Sequence, residues 1–156
     1  SIIKRVKNMA KRVCCRGIIV DENTVLLMYR EKKTSKGIQK YYTYPGGGLE
    51  PNETLEECVK REIQEEFSLE VEILKHLKTV EYPENITHYF ACRKKKGQLT
   101  LGGEEKERNH RENYYEVRKI PISKIKDLEL YQKELIFESQ QIVENQKNEN
   151  KRKKEM

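Results

Sequence analysis

The sequence predicts an α+β domain with mixed strands and two principal helices. Three observations carry this expectation. Short apolar segments alternate with turn signals from residue 14 onward. A capped amphipathic segment follows a run of three glycines. A second apolar-periodic segment closes the chain before a polar end. The length of 156 residues suits one domain with a real core rather than two. With 35% hydrophobic and 37% charged residues, the chain can fold while keeping a well-solvated shell.

Taken in order, residues 14–20 are apolar apart from Arg16 and Gly17, and residues 25–28 form a second short run. Asp21, Glu22 and Asn23 stand between them as a turn, so the two runs read as a strand pair. Residues 31–41 are polar and lysine-rich and read as a loop, and residues 41–44 are β-prone. Pro45 followed by Gly46, Gly47 and Gly48 is the sharpest punctuation in the chain and is expected to be irregular. A helix is expected over 54–67, and strands over 71–77, 78–82 and 86–92. Residues 93–113 read as a long polar loop with a short strand at 99–101. Residues 114–120 form a strand that Pro121 closes. A helical turn over 124–128 and a helix over 130–143 follow. From Asn145 onward only charged and amide side chains remain, so a frayed helix end or disorder is expected. The organisation is thus a basic N-terminal segment (1–11), a domain (12–145) and a basic, disordered tail (146–156).

The formal net charge of +6 belongs to the ends. Residues 1–16 hold six basic residues and no acidic one, and residues 147–156 hold five basic and two acidic ones. The body between is mildly acidic. The basic ends read as solubilising tails, not as a nucleic-acid surface. No apolar run approaches the ~20 residues that cross a bilayer. The first residues turn basic with no long apolar segment behind them, unlike a secretory leader. Four cysteines, two of them adjacent (Cys14, Cys15) and two apart (Cys58, Cys92), make neither a disulfide scaffold nor a zinc knuckle. A reducing, cytoplasmic location is expected.

The chemistry concentrates on the first helix. Thr54 and Glu57 form a capping box that sets its start. Measured around the axis from Leu55, Cys58, Val59, Ile63 and Phe67 fall at about 300°, 40°, 80° and 120°, defining a packed face. Glu66 falls at about 20° and Glu62 at about 340°, within or beside that face, and Glu65 at about 280°, at its edge. Carboxylates sharing one side of a helix repel, and burial makes each costlier. A cation between them relieves the cost, and carboxylate oxygens suit Mg2+ or Mn2+. Arg61 can neutralise or orient one of them by a bidentate pair. Spacing alone equally allows an acidic helix whose glutamates meet basic neighbours. The glycine run just upstream favours the cation reading, because glycines let backbone approach a ligand closely. Backbone amides running into a capped helix also suit an anion.

The stretch Gly47-x5-Glu53-x7-Arg61-Glu62-Ile63-x-Glu65-Glu66-x-Ser68-Leu69 resembles the Nudix box, the signature of the MutT-like Nudix hydrolases, at residues 47–69. Ser68 stands where the family usually has glycine, and Asn52 replaces another frequent glycine. Neither change removes a carboxylate. With the strand pair, Pro45-Gly46 and the Ile120-Pro121 strand end, the likeness extends over residues 12–145. The resemblance implies a Nudix fold, an α/β/α sandwich around a mixed β-sheet. It implies divalent-metal-dependent hydrolysis of a nucleoside diphosphate linked to another moiety. By this resemblance Glu62, Glu65 and Glu66 hold Mg2+ or Mn2+, Gly46 or Gly47 lends a backbone carbonyl, and Glu53 supports them. Arg61 orients the glutamates, with Glu65 and Glu66 as further catalytic residues. The general base is a box glutamate or one from a distal loop. Glu65, nearest the solvent edge, is the preferred box base, and Glu105 is the chosen residue among Glu104, Glu105 and Glu107.

Arg30 and Lys32 are expected at substrate phosphates, with Lys33, Lys36 and Lys40 adding steering charge. Tyr42, Tyr44, Tyr82 and Tyr89 are able to stack on a base, although any one of nine tyrosines also reads as packing. His76, His88 and His110 share no ligand spacing and read as packing or surface. The favoured substrate is a nucleoside triphosphate or related nucleotide. ADP-sugars, dinucleoside polyphosphates and a non-catalytic nucleotide-binding module stand as alternatives. A diphosphate isomerase lacks a clear Cys–Glu pair. The partners expected are small-molecule nucleotides or polyphosphates, not a membrane and not nucleic acid, and homodimerisation is left open.

Overall fold

The alternation in residues 14–28 decides which face of the sheet each side chain enters. In the computed structural model, which describes residues 11–97 and 113–156, β1 (Arg12–Asp21) and β2 (Thr24–Thr34) pair antiparallel through Ile19↔Leu26 and Asp21↔Thr24. Cys15, Ile19, Leu26 and Met28 enter one core, and Ile18, Val20, Val25 and Leu27 enter the other. The first core is closed by α1 (Leu55–Phe67) through Cys58, Val59, Ile63 and Phe67, the face that the helical arithmetic selects. The second is closed by α2 (Glu134–Glu155) through Leu135, Ile136 and Val143. A helix therefore covers each face of the sheet, the expected α/β/α sandwich.

The sheet is mixed. With β3 (Gly37–Thr43), β4 (Gly46–Gly48), β5 (Leu69–Glu81), β6 (Asn85–Gly97) and β7 (Asn113–Pro121), its order is β3-β2-β1-β6-β5. β7 runs along β2, and β4 pairs with the first half of β1. β1 and β6 are parallel, from Arg12↔Asn85 to Ile19↔Cys92, and the other pairings are antiparallel. The second half of β1 pairs with β2 and its first half with β4, so the glycine run fills backbone positions that β2 leaves open.

Several expectations change. Residues 31–41 are not a loop: β2 continues to Thr34 and returns as β3, with Lys32↔Gln39 and Thr34↔Gly37 in register. This end of the hairpin is exposed on both faces, so no apolar alternation announces it. The glycine run is not irregular but forms β4. Residues 71–82 do not divide into two strands. β5 is one strand with register shifts between Ile73 and Lys75 and between His76 and Lys78. The helical turn after Pro121 is a 3-10 helix, Ile122–Asp127. α2 begins at Glu134, not Leu130, because the preceding segment is spent on β3 and its neighbour. Tyr42 N–H donates to Glu129 O at 2.8 Å and Tyr44 Oη donates to Gln132 O at 2.9 Å, with Gln132 at φ 60°. The frayed or disordered tail expected after Asn145 is instead helical to Glu155. Lysine, arginine and glutamate are good helix formers, and they extend a helix already nucleated by packing. The strand expected at 99–101 lies outside the described residues.

Ser68 closes α1 in the left-handed region (φ 59°, ψ 33°), and its N–H donates to Gln64 O at 3.0 Å. The exit geometry that glycine favours is thus kept with a side chain that strains it. Ser68→Gly is expected to raise stability by about 1 kcal/mol, read from urea unfolding midpoints. The last buried residue of α2 is Val143. Removing residues 147–156 should shift stability by less than about 0.5 kcal/mol and leave turnover near that of the full chain. A large loss of kcat with an unchanged circular dichroism spectrum would contradict this.

Candidate functional site

The phase of α1 is set at its first turn. Glu57 N–H donates to Thr54 Oγ1 at 3.1 Å, and Thr54 N–H donates back to Glu57 Oε1 at 3.4 Å. From that start, Glu62 and Glu66 come out half-buried and Glu65 exposed. β4 lies directly against them. Gly46 N–H donates to Glu66 Oε2 at 2.8 Å. A Cβ at Gly46 would stand 2.1 Å from Cys15 O, and one at Gly47 would stand 2.6 Å from Glu62 Oε1. Only glycine lets β4 hydrogen-bond to β1 and touch the carboxylates of α1 at once.

Arg61 gathers the remaining charges. Its Nε and Nη2 donate to Glu53 Oε2 and Oε1 at 2.7 and 3.0 Å, a bidentate pair. Its Nη1 donates to Glu62 Oε1 at 2.9 Å and to Glu65 Oε2 at 3.2 Å, and Nη2 also donates to Gly48 O at 3.1 Å. The Glu53 carboxylate is 11% exposed, Glu62 15% and Glu65 49%. The guanidinium holds Glu53 down to about 2. Burial pushes Glu62 above the usual carboxylate range, against the pull of Arg61. Of Glu62, Glu65 and Glu66, Glu65 lies nearest solvent, as the helical phase predicts. Glu66 is met by the Gly46 amide, where sequence reasoning looked to Arg61 or a metal for its counter-charge.

Beneath this cluster the Cys58 thiol reaches Gly47 O at 3.7 Å and Gly48 O at 3.5 Å. Its neighbour Cys15 and burial push Cys58 well up, so it stays a neutral donor that ties β4 to the helix.

A cavity of about 560 Å3 has Arg16 in its lining together with Tyr44 and Tyr89 of the second core, and none of the α1 glutamates. Arg16, Arg30 and Lys32 supply its positive charge, and Tyr41, Tyr82 and Tyr131 are among its aromatic walls. Arg30 stacks on Tyr115 at 4.5 Å from the ring centroid and donates to its hydroxyl at 2.8 Å. Tyr82 and Tyr131 are stacked, with centroids 5.9 Å apart. Sequence reasoning passed over Arg16 and Tyr131. Arg16 donates to Tyr44 O at 2.7 Å, pairs in register with Gly46, and lowers Glu62, so it joins the cavity to the carboxylates. The signal for Arg16 was a lone cation within an apolar strand. Tyr131 had none, since its neighbours in space are remote in sequence. Tyr42, Tyr44 and Tyr89 also line this cavity. Glu105 lies outside the described residues.

The donor set fits a hard divalent cation. The Glu62 carboxylate lies against Gly47, in the position a Cβ would take there, and the Glu66 carboxylate accepts from the Gly46 amide. Among the described residues no three His, Cys, Asp or Glu side chains meet as a ready cage. Mg2+ in phosphate sites is commonly held by one or two carboxylates together with waters and substrate oxygens, which such a partial set suits.

Comparison with known proteins gives the family and the fold. A family model described as the NUDIX domain matches residues 10–138. The chain is 37% identical over 89 residues to an 8-oxo-dGTP diphosphatase of Proteus vulgaris, covering 54% of this chain and 78% of that protein. It is 45% identical over 53 residues to an ADP-ribose pyrophosphatase of Methanocaldococcus jannaschii, covering 34% of this chain and 30% of that protein. Its fold resembles the crystal structure of a MutT NUDIX hydrolase from Burkholderia pseudomallei. The TM-score is 0.60 at 18% identity, over 83% of this chain and 97% of that one. Among the described residues no helix is long and apolar enough to cross a membrane.

Glu53 is the anchor that positions Arg61. Glu53→Gln should destabilise the protein by about 1–3 kcal/mol near neutral pH. Because the folded value of Glu53 lies near 2, below its ordinary 4.5, its contribution is full above the ordinary value and fades as pH falls toward 2. Urea unfolding at neutral pH and near pH 3 should therefore show a smaller gap between wild type and variant in acid. An equal gap at both values would refute the role.

Proposed function

The chain belongs to the NUDIX domain family, and from that premise we propose that it hydrolyses the pyrophosphate linkage of a nucleoside triphosphate or closely related nucleotide, with Mg2+ or Mn2+. What carries the reading is the convergence of Glu53, Glu62 and Glu65 on Arg61, beside the Glu66–Gly46 contact. Arg16 links this cluster to a cavity whose walls combine cations with tyrosines. That combination suits a ligand with a polyphosphate at one end and a stacking base at the other. The similarity to an 8-oxo-dGTP diphosphatase favours a nucleoside triphosphate. The likeness to an ADP-ribose pyrophosphatase covers a shorter stretch of both chains.

In this mechanism Glu62 and Glu66 would hold the cation, with a backbone carbonyl of Gly46 or Gly47. The bound cation supplies charge neutralisation at the phosphoryl oxygens and a more acidic water. Arg30 and Lys32 orient the phosphate chain. Arg61, saturated by carboxylates, keeps Glu62 and Glu65 in fixed rotamers, so little reorganisation is needed when charge develops. Glu65 takes the proton of the attacking water, since it is the most exposed of the three α1 glutamates of the cluster. The tyrosine walls hold the base and fix which phosphorus faces the water.

Phosphate and pyrophosphate release should be measured over nucleoside triphosphates, oxidised dGTP, ADP-ribose and dinucleoside polyphosphates, with product identification. Turnover is expected with Mg2+ or Mn2+ and should vanish in excess chelator. Best turnover on ADP-ribose would move the assignment to ADP-sugars, and none on any nucleotide would favour a binding module. Glu66→Gln keeps an acceptor for Gly46 N–H but loses the charge that binds a hard cation. It should lower kcat about a hundredfold or more at saturating metal, while metal-free thermal stability stays near wild type. Mg2+ should raise the melting temperature of wild type more than that of the variant. Equal metal-induced shifts with near-wild-type kcat would show that Glu66 is an ordinary packing residue.

A further inference from the structure

A second cluster of cation-binding groups stands on β5 and β6, apart from the arginine and glutamates of α1. His76 Nε2 lies 3.1 Å from His88 Nδ1, and Thr79 Oγ1 lies 3.1 Å from the first and 2.9 Å from the second. The three atoms form a nearly equilateral triangle. His76 and Thr79 are exposed and His88 is half-buried, so solvent reaches the cluster.

We propose that His76, His88 and Thr79 form a binding site for a borderline transition-metal dication such as Ni2+, Zn2+ or Cu2+, with water completing its shell. Imidazole nitrogen selects these ions over Mg2+ and Mn2+, which prefer the all-oxygen set on α1. Distance decides whether the two rings are able to chelate. At metal–nitrogen distances of about 2.0–2.1 Å, nitrogens this far apart subtend about 100° at a shared ion. That angle lies between octahedral and tetrahedral values, so the N–N separation suits chelation of one ion. Without metal, the two facing nitrogens avoid lone-pair repulsion only by placing a proton between them or on Thr79. An ion takes the place of that proton.

The backbone builds this arrangement at a specific irregularity. Strand alternation puts residues three apart on opposite faces. His76 pairs with Phe90 but Lys78 pairs with Tyr89, so β5 carries one extra residue at Leu77. Such a bulge re-aims the side chains around it. It brings His76 to the face of Thr79, directly opposite His88 in the Thr79↔His88 pair. It also leaves Lys78 to donate to Gln132 Oε1 at 3.0 Å, toward the α2 side, so its ammonium does not compete for the cluster. The edge of Phe90 holds the His76 ring at a centroid distance of 4.9 Å and an interplanar angle of 72°. Sequence reading separated the two histidines because their twelve-residue spacing fits no local ligand motif. Antiparallel pairing of β5 with β6 supplies the proximity.

The test uses the full chain without a polyhistidine tag, in excess Mg2+ to occupy the carboxylate site. Calorimetric titration with Ni2+ above the imidazole pKa should show one site of micromolar affinity. His76→Ala and His88→Ala should each weaken it by at least about tenfold, while His110→Ala leaves it unchanged. Because His76 is exposed, its variant keeps the fold and remains informative even where His88→Ala melts early. Cu2+ bound at this site should give an electron paramagnetic resonance spectrum with coupling to two imidazole nitrogens. Unchanged Ni2+ affinity in His76→Ala, an equal loss in His110→Ala, or a copper spectrum of oxygen ligation alone would overturn the assignment.

Discussion

Arg61 is the point at which the charges of the site are reconciled. Four glutamates lie within 4 Å of its guanidinium: Glu50, Glu53, Glu62 and Glu65. Without a cation among them, carboxylates on one flank of a helix would repel, and the half-buried ones would protonate or pull away from the packed face. The planar fork matters as much as the charge. Two nitrogens lock onto Glu53 while a third remains for Glu62 and Glu65, which a lysine ammonium could not do with the same geometry. The same side chain also caps Gly48 O, so the helix, the segment before it and β4 are drawn to one centre.

That centre depends on how β1 divides its hydrogen bonds. Its second half belongs to β2, and its first half is left for β4. Three glycines in succession meet the demand because a methyl group would collide with Cys15 O at Gly46, with the Glu62 carboxylate at Gly47 and with the Arg12 guanidinium at Gly48. Arg16 projects from the same stretch of β1 toward the cavity, so one strand carries the backbone partner of the glycines and a cation of the binding wall. The burial of Glu62 follows from this packing, and its raised proton affinity is the electrostatic trace of a carboxylate pressed against backbone. Arg61 offsets part of this desolvation, and burial still outweighs it.

The sheet handles polar chemistry differently on its two margins. On the side of β3, tyrosines and arginines interleave: Arg118 lies 3.8 Å over the Tyr29 ring, and Arg30 lies over Tyr115. These contacts stiffen long cations that would otherwise be mobile on an exposed hairpin. On the side of β5, register shifts change which face a side chain enters. The histidine pair is a product of one such shift. The four cysteines, by contrast, are free thiols buried in the interior, where Cys92 is pushed up to about 12 by burial and acts as a small apolar residue.

Local patterning by itself determined the helix of the site, its cap, the face it buries and the phase of its glutamates, because 3.6-residue periodicity and a capping box are properties of neighbours in the chain. It also determined the β1–β2 strand pair, written as two apolar runs on either side of a turn. It could not determine the β2–β3 hairpin, whose outer half has no buried face to leave an apolar signature. Nor could it find that the glycines form a strand, since β4 exists only where β1 leaves open hydrogen-bonding groups. The start of α2 was displaced by Tyr42 and Tyr44 bonding to residues 129 and 132, contacts across some ninety positions of chain. Arg16, Tyr131 and the His76–His88 pair likewise acquire meaning only from partners far away in sequence. Interactions within a helical turn are legible in order. Those made by strand pairing and bulges are decided by the tertiary structure, because a one-residue shift exchanges the faces on which side chains meet.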